Sequence, residues 1–183
     1  MEKNKIKQNI KLKKIKLFIS DVDGVFTDGA FYISGELKEF KKFNALDGLG
    51  VKILQTAGIP VVVISGRHSD STTDRMTKLG IENIFQGEIA KLDAFEKMKQ
   101  KFAVEDEEIA YIGDDVVDIP LLKKVGFAAT VPNSIEEVQK VAHYVTERQG
   151  GCGAFREVAD MLLKAQGKFY MAIEKFIGIN IQE

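Results

Sequence analysis

Acidic and basic side chains stand at four places in this sequence, where a short apolar run ends or a helical pattern begins. Paired carboxylates occupy two of these places, and a serine–glycine–arginine triplet and a lone lysine occupy the others. The residues are Asp21 and Asp23, Ser65 with Gly66 and Arg67, Lys91, and Asp114 with Asp115 and Asp118. Side chains of these types can bind a divalent cation, attack an electrophile and move a proton, which makes phosphoryl chemistry a natural hypothesis.

Brought together, the aspartates would repel one another, and a bound cation is the natural counter-charge. A set of ligands made only of oxygen atoms suits Mg²⁺, which keeps several waters and shares the oxygens of a substrate phosphate. Each group taken alone has a plainer interpretation. Ser65 could be a helix N-cap and Lys91 a surface residue. Asp114 and Asp115 could cap a helix that begins near residue 116.

Four short apolar runs, rich in β-branched residues, have the length of buried strands. They are Ile15–Ser20, Pro60–Ser65, Ile109–Gly113 and Phe127–Thr130. Segments with a helical spacing of apolar residues follow or separate them, at 46–54, 90–102, 116–125 and 154–165. This alternation predicts an α/β fold, a Rossmann-like three-layer α/β/α arrangement around a parallel sheet. Ligands bind such sheets at the carboxyl ends of the strands, where the polar groups stand.

A β-hairpin interrupts the alternation directly after the first strand. Residues 29–43 have the pattern of two strands around a Ser34-Gly35 turn. The hairpin has more apolar surface than an isolated hairpin can bury. Its apolar side chains are Phe31, Ile33, Leu37, Phe40 and Phe43. Burial between subunits would resolve this, and packing onto the hairpin's own domain is the alternative.

The composition excludes several classes of protein. The chain has 183 residues, 26 Lys and Arg against 27 Asp and Glu, and a formal net charge of -1, so it has no overall attraction for nucleic acid. No apolar run approaches the roughly 20 residues that span a bilayer. The lysine-rich start lacks the apolar stretch of a signal peptide. We therefore expect a cytoplasmic protein with no nucleic-acid or membrane partner.

The motifs DVDGVFTDG, ISGR, Lys91 and GDDVVD resemble, in order and spacing, those of the haloacid dehalogenase superfamily of aspartate-nucleophile phosphatases. The resemblance covers roughly residues 14–165. It implies that Asp21 is the nucleophile, that Asp23 is the general acid and base, and that Ser65 and Lys91 bind the phosphoryl group. It also implies a phosphatase domain at 14–166, a basic arm at 1–13, and a C-terminal helix and tail at 167–183.

The same resemblance implies a Mg²⁺ cofactor. Asp21, Asp114 and the main-chain carbonyl of Asp23 would bind the ion. Asp115 would bind the ion through a water molecule or orient the ligands without binding the ion. Asp118 would orient the ligands without binding the ion. Whether Asp115 or Asp118 completes the shell is left open by the sequence.

The stretches between Asp23 and Ser65 and between Ser65 and Lys91 are too short for a cap domain. These short stretches and the segment RQGGCGAFREV make the chain similar to the capless branch of the superfamily, whose members act on phosphorylated sugar acids. That similarity implies hydrolysis of 3-deoxy-D-manno-octulosonate 8-phosphate in lipopolysaccharide biosynthesis. It also implies a homotetramer in which a neighbouring subunit closes each active site.

Residues expected to contact the sugar acid follow from the chemistry of a carboxylate, which arginine binds in a forked geometry. Arg67 is the first candidate, and the others are Gly66, Asn44, Asp47, Arg148 and Arg156. Two alternatives keep the phosphatase chemistry, with a nine-carbon sugar-acid 9-phosphate or a broad set of esters as substrate. Two others are not enzymes: a phosphate-sensing regulatory module, and an inactive partner domain.

Overall fold

A six-stranded parallel sheet forms the centre of the computed structural model, which describes residues 10–34 and 39–181. A small antiparallel pair lies outside it. In chain order the strands are β1 (Leu17–Ser20), β2 (Tyr32–Ile33), β3 (Glu39–Phe40), β4 (Val61–Ser65), β5 (Asn83–Gln86), β6 (Ile109–Ile112), β7 (Phe127–Thr130) and β8 (Tyr144–Val145). The central sheet has the order β5-β4-β1-β6-β7-β8, with β2 and β3 paired separately.

Helices cover both faces of this sheet. They are α1 (Ala45–Thr56), α2 (Asp70–Lys78), α3 (Leu92–Phe102), α4 (Ile119–Leu122), α5 (Glu136–Val141), α6 (Ala154–Ala165) and α7 (Phe169–Ile177). The side chains of β1 point alternately to the two faces of the sheet, and each face has its own apolar core. Phe18 lies in the core with α1, α2, α6 and α7. Leu17 and Ile19 lie in the core with α3, α4 and α5. The predicted three-layer α/β/α fold is confirmed.

The central strands β1, β4, β6 and β7 are buried along their whole length, as the apolar runs predicted. Because a parallel strand is covered by helices on both faces, it has no side that tolerates polar residues before its end. The polar residues therefore begin where the strands stop. Asp21 follows β1, Ser65 ends β4, and Asp114 comes two residues after β6.

The segment predicted as one helix at 116–125 is divided. A 3₁₀ turn spans Val116–Asp118, and α4 then begins at Ile119 with Pro120 in its first turn. Proline lacks an N–H and is tolerated only at a helix start, so it marks where the second element begins.

The hairpin strands β2 and β3 are shorter than the sequence pattern suggested, and the segment 35–38 with Leu37 lies outside the described residues. Phe31, Ile33 and Phe40 are exposed, while Phe43 packs against the core. Within the described part of this single chain, the hairpin's apolar side chains are mostly uncovered.

The globular core begins before residue 14, the expected boundary of the basic arm. Leu12 is fully buried, and the side-chain amide of Gln166 donates to the carbonyls of Leu12 and Ile15. Residues 1–9 lie outside the described residues. At the other end, Ala172 of α7 is buried in the same core. The core therefore includes parts of both segments that were expected to flank it.

No helix in the described ranges is both long and apolar enough to cross a membrane.

Candidate active site

A cavity of about 410 Å³ opens at the carboxyl ends of the strands, where the sequence placed its polar groups. Side chains from four separate segments line it. The lining includes Asp21, Asp23, Ser65, Gly66, Arg67, Lys91, Asp114 and Asp115, together with Gly29, Phe31, Ile89 and Val117. The tertiary structure thus brings together residues as far apart in the chain as Asp21 and Val117.

Asp21 is buried at the base of this cavity and faces the ammonium group of Lys91, with 2.9 Å between Oδ1 and Nζ. Burial raises the pKa of Asp21 to about 6, since the charge on Lys91 offsets only part of the lost hydration. Burial opposes the charge on Lys91 as well, but Asp21 and Asp118 raise its pKa above the ordinary value. The lysine is therefore a fixed positive charge against the first carboxylate.

Asp118 is fully buried and accepts hydrogen bonds on both carboxylate oxygens. Its Oδ1 accepts from Lys91 at 2.6 Å and from the Tyr111 hydroxyl at 2.5 Å. Its Oδ2 accepts from the main-chain N–H groups of Asp114 and Asp115 at 2.8 and 3.1 Å. One side chain therefore holds both the buried lysine and the loop that carries the next two aspartates.

Asp114 lies beside Gly24, which has a φ of +87°. A Cβ at that position would collide with the Asp114 carboxylate, so only glycine allows the loop after β1 to come this close. Burial raises the pKa of Asp114 to about 8, with Asp21, Asp118 and Asp115 adding their repulsion. A carboxylate in such surroundings binds a cation favourably.

The donor set fits a hard divalent metal ion. One oxygen from each of Asp21, Asp114 and Asp118 lies within 4.8 Å of the others. Because protein donors already engage both oxygens of Asp118, the carboxylates left to bind an ion are those of Asp21 and Asp114. Two carboxylates with open coordination positions for water and phosphate suit Mg²⁺.

Asp115 lines the cavity and also caps the 3₁₀ turn, because its Oδ1 accepts from the N–H of Val116 at 2.7 Å. The capping interpretation, which the sequence offered for Asp114 and Asp115 together, therefore describes Asp115.

Asp23 meets a residue that the sequence did not single out. Lys41, which follows β3, places its Nζ 2.7 and 2.8 Å from the two carboxylate oxygens of Asp23. The Lys41 side chain is only 1% exposed. A buried lysine that contacts both oxygens of one carboxylate restricts how that carboxylate can turn.

Ser65 and Arg67 line the same cavity at the end of β4. The Ser65 hydroxyl accepts from the N–H of Arg67 at 3.4 Å. The Arg67 guanidinium lies 4.0 Å from the centre of the Phe31 ring and donates to Glu39 Oε2 at 2.8 Å. The arginine is thus held at the rim by two hairpin residues.

Four residues predicted to contact substrate do not line the cavity of this chain. Asn44 caps α1 and donates to the Gly151 carbonyl. Asp47 is buried and accepts from the N–H groups of Gly153 and Arg156. The open main-chain N–H groups at a helix start commonly donate to a side-chain oxygen of this kind. Both residues therefore support the segment 150–153.

Arg148 and Arg156 are the other two. The guanidinium of Arg156 pairs with Asp160 on the same helix at 2.6 Å. Arg148 donates its main-chain N–H to Glu157, and its side chain lies next to Gly153. The Arg156 guanidinium is thus engaged in an ion pair within its own helix.

The glycine-rich segment 150–153 packs against the loop that follows β1. The N–H of Gly151 donates to the Val25 carbonyl at 2.9 Å. A Cβ at Gly150 would collide with the carbonyl of Gly24. The segment therefore buttresses the loop that carries Asp21 and Asp23 in its own chain.

Sequence reasoning missed Lys41, Glu39 and Tyr111. Tyr111 lies inside an apolar strand, where a tyrosine commonly packs as a hydrophobe. The hydroxyl of Tyr111, two residues before Gly113, could have indicated a polar contact at the strand end, because a buried hydroxyl needs a hydrogen-bond partner. Lys41 and Glu39 gave no signal, since charged residues along a hairpin are commonly solvated.

The model of the haloacid dehalogenase-like hydrolase family matches residues 77–153. The chain is also 43% identical over 158 residues to the 3-deoxy-D-manno-octulosonate 8-phosphate phosphatase of Escherichia coli strain K12, covering 86% of this chain and 84% of that enzyme. The chain therefore belongs to the haloacid dehalogenase-like hydrolases, in the family of these octulosonate phosphatases.

Solved structures lead to the same family. A HAD superfamily (subfamily III A) hydrolase from Legionella pneumophila has a TM-score of 0.95 at 40% identity, with 97% of each chain covered. The 3-deoxy-D-manno-octulosonate 8-phosphate phosphatase of Moraxella catarrhalis, in complex with a magnesium ion, a phosphate ion and a KDO molecule, has a TM-score of 0.88 at 41% identity, covering 92% of this chain and 97% of that one.

Proposed function

We propose that this chain is a Mg²⁺-dependent phosphatase that hydrolyses 3-deoxy-D-manno-octulosonate 8-phosphate to the free sugar acid and phosphate, as a step of lipopolysaccharide biosynthesis. The observation that carries the proposal is the pairing of buried Asp21 with Lys91 at the base of a cavity that also contains Asp23 and Asp114. The names of the 41–43% identical relatives support the choice of substrate.

In the first half-reaction, a carboxylate oxygen of Asp21 attacks phosphorus and the bond between phosphorus and the sugar oxygen breaks. Asp23 gives its proton to the departing sugar oxygen, which leaves as a hydroxyl group. In the second half-reaction, Asp23 takes a proton from water while the water oxygen bonds to phosphorus. The bond between Asp21 and phosphorus then breaks, which releases phosphate and restores both aspartates.

Asp21, Asp114 and the main-chain carbonyl of Asp23 would hold Mg²⁺, with Asp115 a ligand through water. When bound, the ion offsets the charge of the carboxylates and of the phosphoryl oxygens. Asp118 positions these groups without binding the ion, because it accepts hydrogen bonds from Lys91 and from the main chain of the Asp114 loop.

Ser65 and the main chain at Gly66 donate to the phosphoryl group, and Lys91 lowers the repulsion between phosphate and Asp21. Arg67 binds the substrate's carboxylate with the N–H donors that Glu39 leaves free. Asn44, Asp47, Arg148 and Arg156 act indirectly, since their contacts hold the segment 150–153 beneath the site.

The chain would act in the cytoplasm as a homotetramer in which neighbouring subunits cover each site, and the exposed hairpin supports the assembly. Phe31, Ile33 and Phe40 present apolar surface beside the cavity mouth. Burying them against other copies would keep water from the reacting phosphate without a cap domain.

Release of phosphate from a panel of esters tests the proposal. The panel contains octulosonate 8-phosphate, a nonulosonate 9-phosphate and a hexose 6-phosphate, each assayed with Mg²⁺ and with chelator. Metal-dependent preference for the octulosonate ester, abolished in Asp21→Asn with unchanged folding, is the expected result. Preference for the nine-carbon ester, or equal slow rates on all three, would reject the substrate assignment. No release at all would support a phosphate-sensing module instead.

A further inference from the structure

Charged side chains of alternating sign form a row from the reaction centre to the rim of the cavity. Asp23 contacts Lys41 at 2.7 Å, and Lys41 lies 3.6 Å from Glu39. Glu39 in turn accepts from Arg67 at 2.8 Å. Two of these residues belong to the hairpin end, and the other two follow β1 and β4. The row therefore ties the hairpin to both walls of the cavity.

Glu39 is held firmly at the centre of this row. Its main-chain carbonyl accepts from the Ser71 hydroxyl at 3.1 Å. Although burial disfavours ionisation, hydrogen bonds from Ser69 and Arg67 and the charge on Lys41 lower the pKa of Glu39. The side chain is thus a fixed anion at neutral pH.

Arg67 needs such an anchor, because 52% of its side chain is exposed and its cavity is crowded with negative charge. Asp21, Asp114 and Asp115 line the same cavity, and a long flexible guanidinium would be drawn toward them. Phe31 supplies a flat apolar platform 4.0 Å from the guanidinium carbon, and Glu39 occupies one N–H edge. Arginine has five N–H donors, and this contact with Glu39 uses one of them.

We propose that Glu39 is a specificity-determining positioning residue: it holds Arg67 over Phe31 at the rim, where the guanidinium meets the substrate's carboxylate and stays away from the catalytic aspartates. The inference rests on the proposed function, since it assumes a substrate with a phosphate at one end and a carboxylate at the other. Glu39 itself touches neither group.

Steady-state kinetics of Glu39→Gln tests this role on two esters, octulosonate 8-phosphate and p-nitrophenyl phosphate, which has no carboxylate. We expect KM for the sugar acid ester to rise about tenfold with little change in kcat, because one anchored ionic contact is lost. KM for the aryl ester should stay unchanged. In Glu39→Gln, half-maximal activity on the aryl ester should also need more Mg²⁺, because the released Arg67 competes for the aspartates.

Two further variants make the outcome decisive. Phe31→Leu removes the platform without touching Glu39, and we expect the same selective rise in KM. Lys42→Gln is the matched control, because it removes an exposed hairpin ion pair with Asp28 at 3.7 Å. KM for both esters should stay unchanged in this variant. An equal loss on both esters in Glu39→Gln would mean a merely structural role and would overturn the inference.

Arg67→Ala separates this inference from the proposed function. If Arg67→Ala raises KM for the sugar acid ester and Glu39→Gln does not, the Glu39 role is wrong while the Arg67 assignment stands. If Arg67→Ala leaves the preference unchanged, the assignment of Arg67 fails and the Glu39 role fails with it. In the Arg67→Ala background, Glu39→Gln should add no further effect on selectivity.

Discussion

Asp118 illustrates how one buried side chain can organise a site that it does not enter. Its two oxygens accept four hydrogen bonds from three different segments: the strand that carries Tyr111, the helix start at Lys91 and the loop at Asp114. An isolated buried carboxylate is costly, but this one is fully partnered, which offsets its lost hydration.

We expect Asp118→Asn to lower kcat/KM about 100-fold and stability by about 3 kcal/mol, as breaking a buried charge pair commonly does. An amide has one acceptor oxygen, so it cannot serve both Lys91 and the two main-chain N–H groups. Denaturant unfolding and phosphatase kinetics measure the two effects. Asp115→Asn is the control for stability, with an expected loss below about 1 kcal/mol. Equal stability of the two variants would contradict this role of Asp118.

At the scale of elements, the start of α6 depends on a residue from α1. Asp47 accepts from the N–H groups of Gly153 and Arg156 although it lies more than a hundred residues away in sequence. A carboxylate at a helix N-terminus satisfies open donors and interacts well with the helix dipole. The contact also fixes the direction in which segment 150–153 approaches the loop after β1.

Asp47→Ala should therefore lower stability by about 2 kcal/mol, at the upper end for the loss of an N-cap, because the site is buried. Urea unfolding monitored by circular dichroism gives the value. Asp160→Ala is the matched control, since it removes only the partly exposed i,i+4 pair with Arg156 and should cost about 0.5 kcal/mol. A loss of the same size in both variants would refute a capping role for Asp47.

A second inter-element contact predicts a pH dependence. Asp106 pairs with Lys99 of α3 at 2.5 Å and with Lys124 at 3.1 Å. Partial burial disfavours its ionised form, but the two lysines hold the pKa of Asp106 below its ordinary value of 3.8. A depressed folded-state pKa means that the unfolded chain takes up the proton first, so this contribution is present above pH 3.8 and is lost below it.

We expect Asp106→Asn to be less stable than the natural chain by about 1 kcal/mol at pH 7. The difference should shrink as the pH falls below 3.8 and vanish only below the lowered pKa of folded Asp106. Urea midpoints at pH 7, 5 and about 2 measure it, because the lowest pH lies below the unfolded-state pKa by more than one unit. A difference that stays constant across this range would show that lost packing, and not the ionised carboxylate, is responsible.

At the scale of the whole molecule, exposed apolar side chains of the described residues form two groups, one on the hairpin beside the cavity and one on α7 and the residues that follow it. Ile33 is 66% exposed and Phe40 is 57% exposed. Apolar side chains grouped in this way typically mark an interaction surface. A closed assembly of copies around the hairpin would cover them and shield the reaction from solvent.

The double variant Ile33→Ser, Phe40→Ser should shift the mass measured by light scattering from a tetramer toward a monomer, because two buried apolar anchors are lost. Ile135→Ser, which changes an exposed apolar side chain directly before α5, is the control and should leave the mass unchanged. A natural chain that is monomeric at micromolar concentration would reject the assembly itself.

The sequence by itself determined the central sheet and the position of its reactive edge. Runs such as Pro60–Ser65 and Ile109–Gly113 are apolar up to their last residue because both faces of a parallel strand are covered. Their ends are polar because the chain there reaches solvent and ligand. These are local patterns, so Asp21, Ser65 and Asp114 could be placed at one edge before any contact was known.

The tertiary structure decided the partners. Lys41 on Asp23, Tyr111 on Asp118 and Asp47 on the start of α6 each join segments that are distant in sequence or lie on different elements. A lysine in a hairpin, a tyrosine in a strand and an aspartate in a helix have ordinary local interpretations. Whether each is solvated or buried against a charge depends on how the elements pack, and that information is not local in the chain.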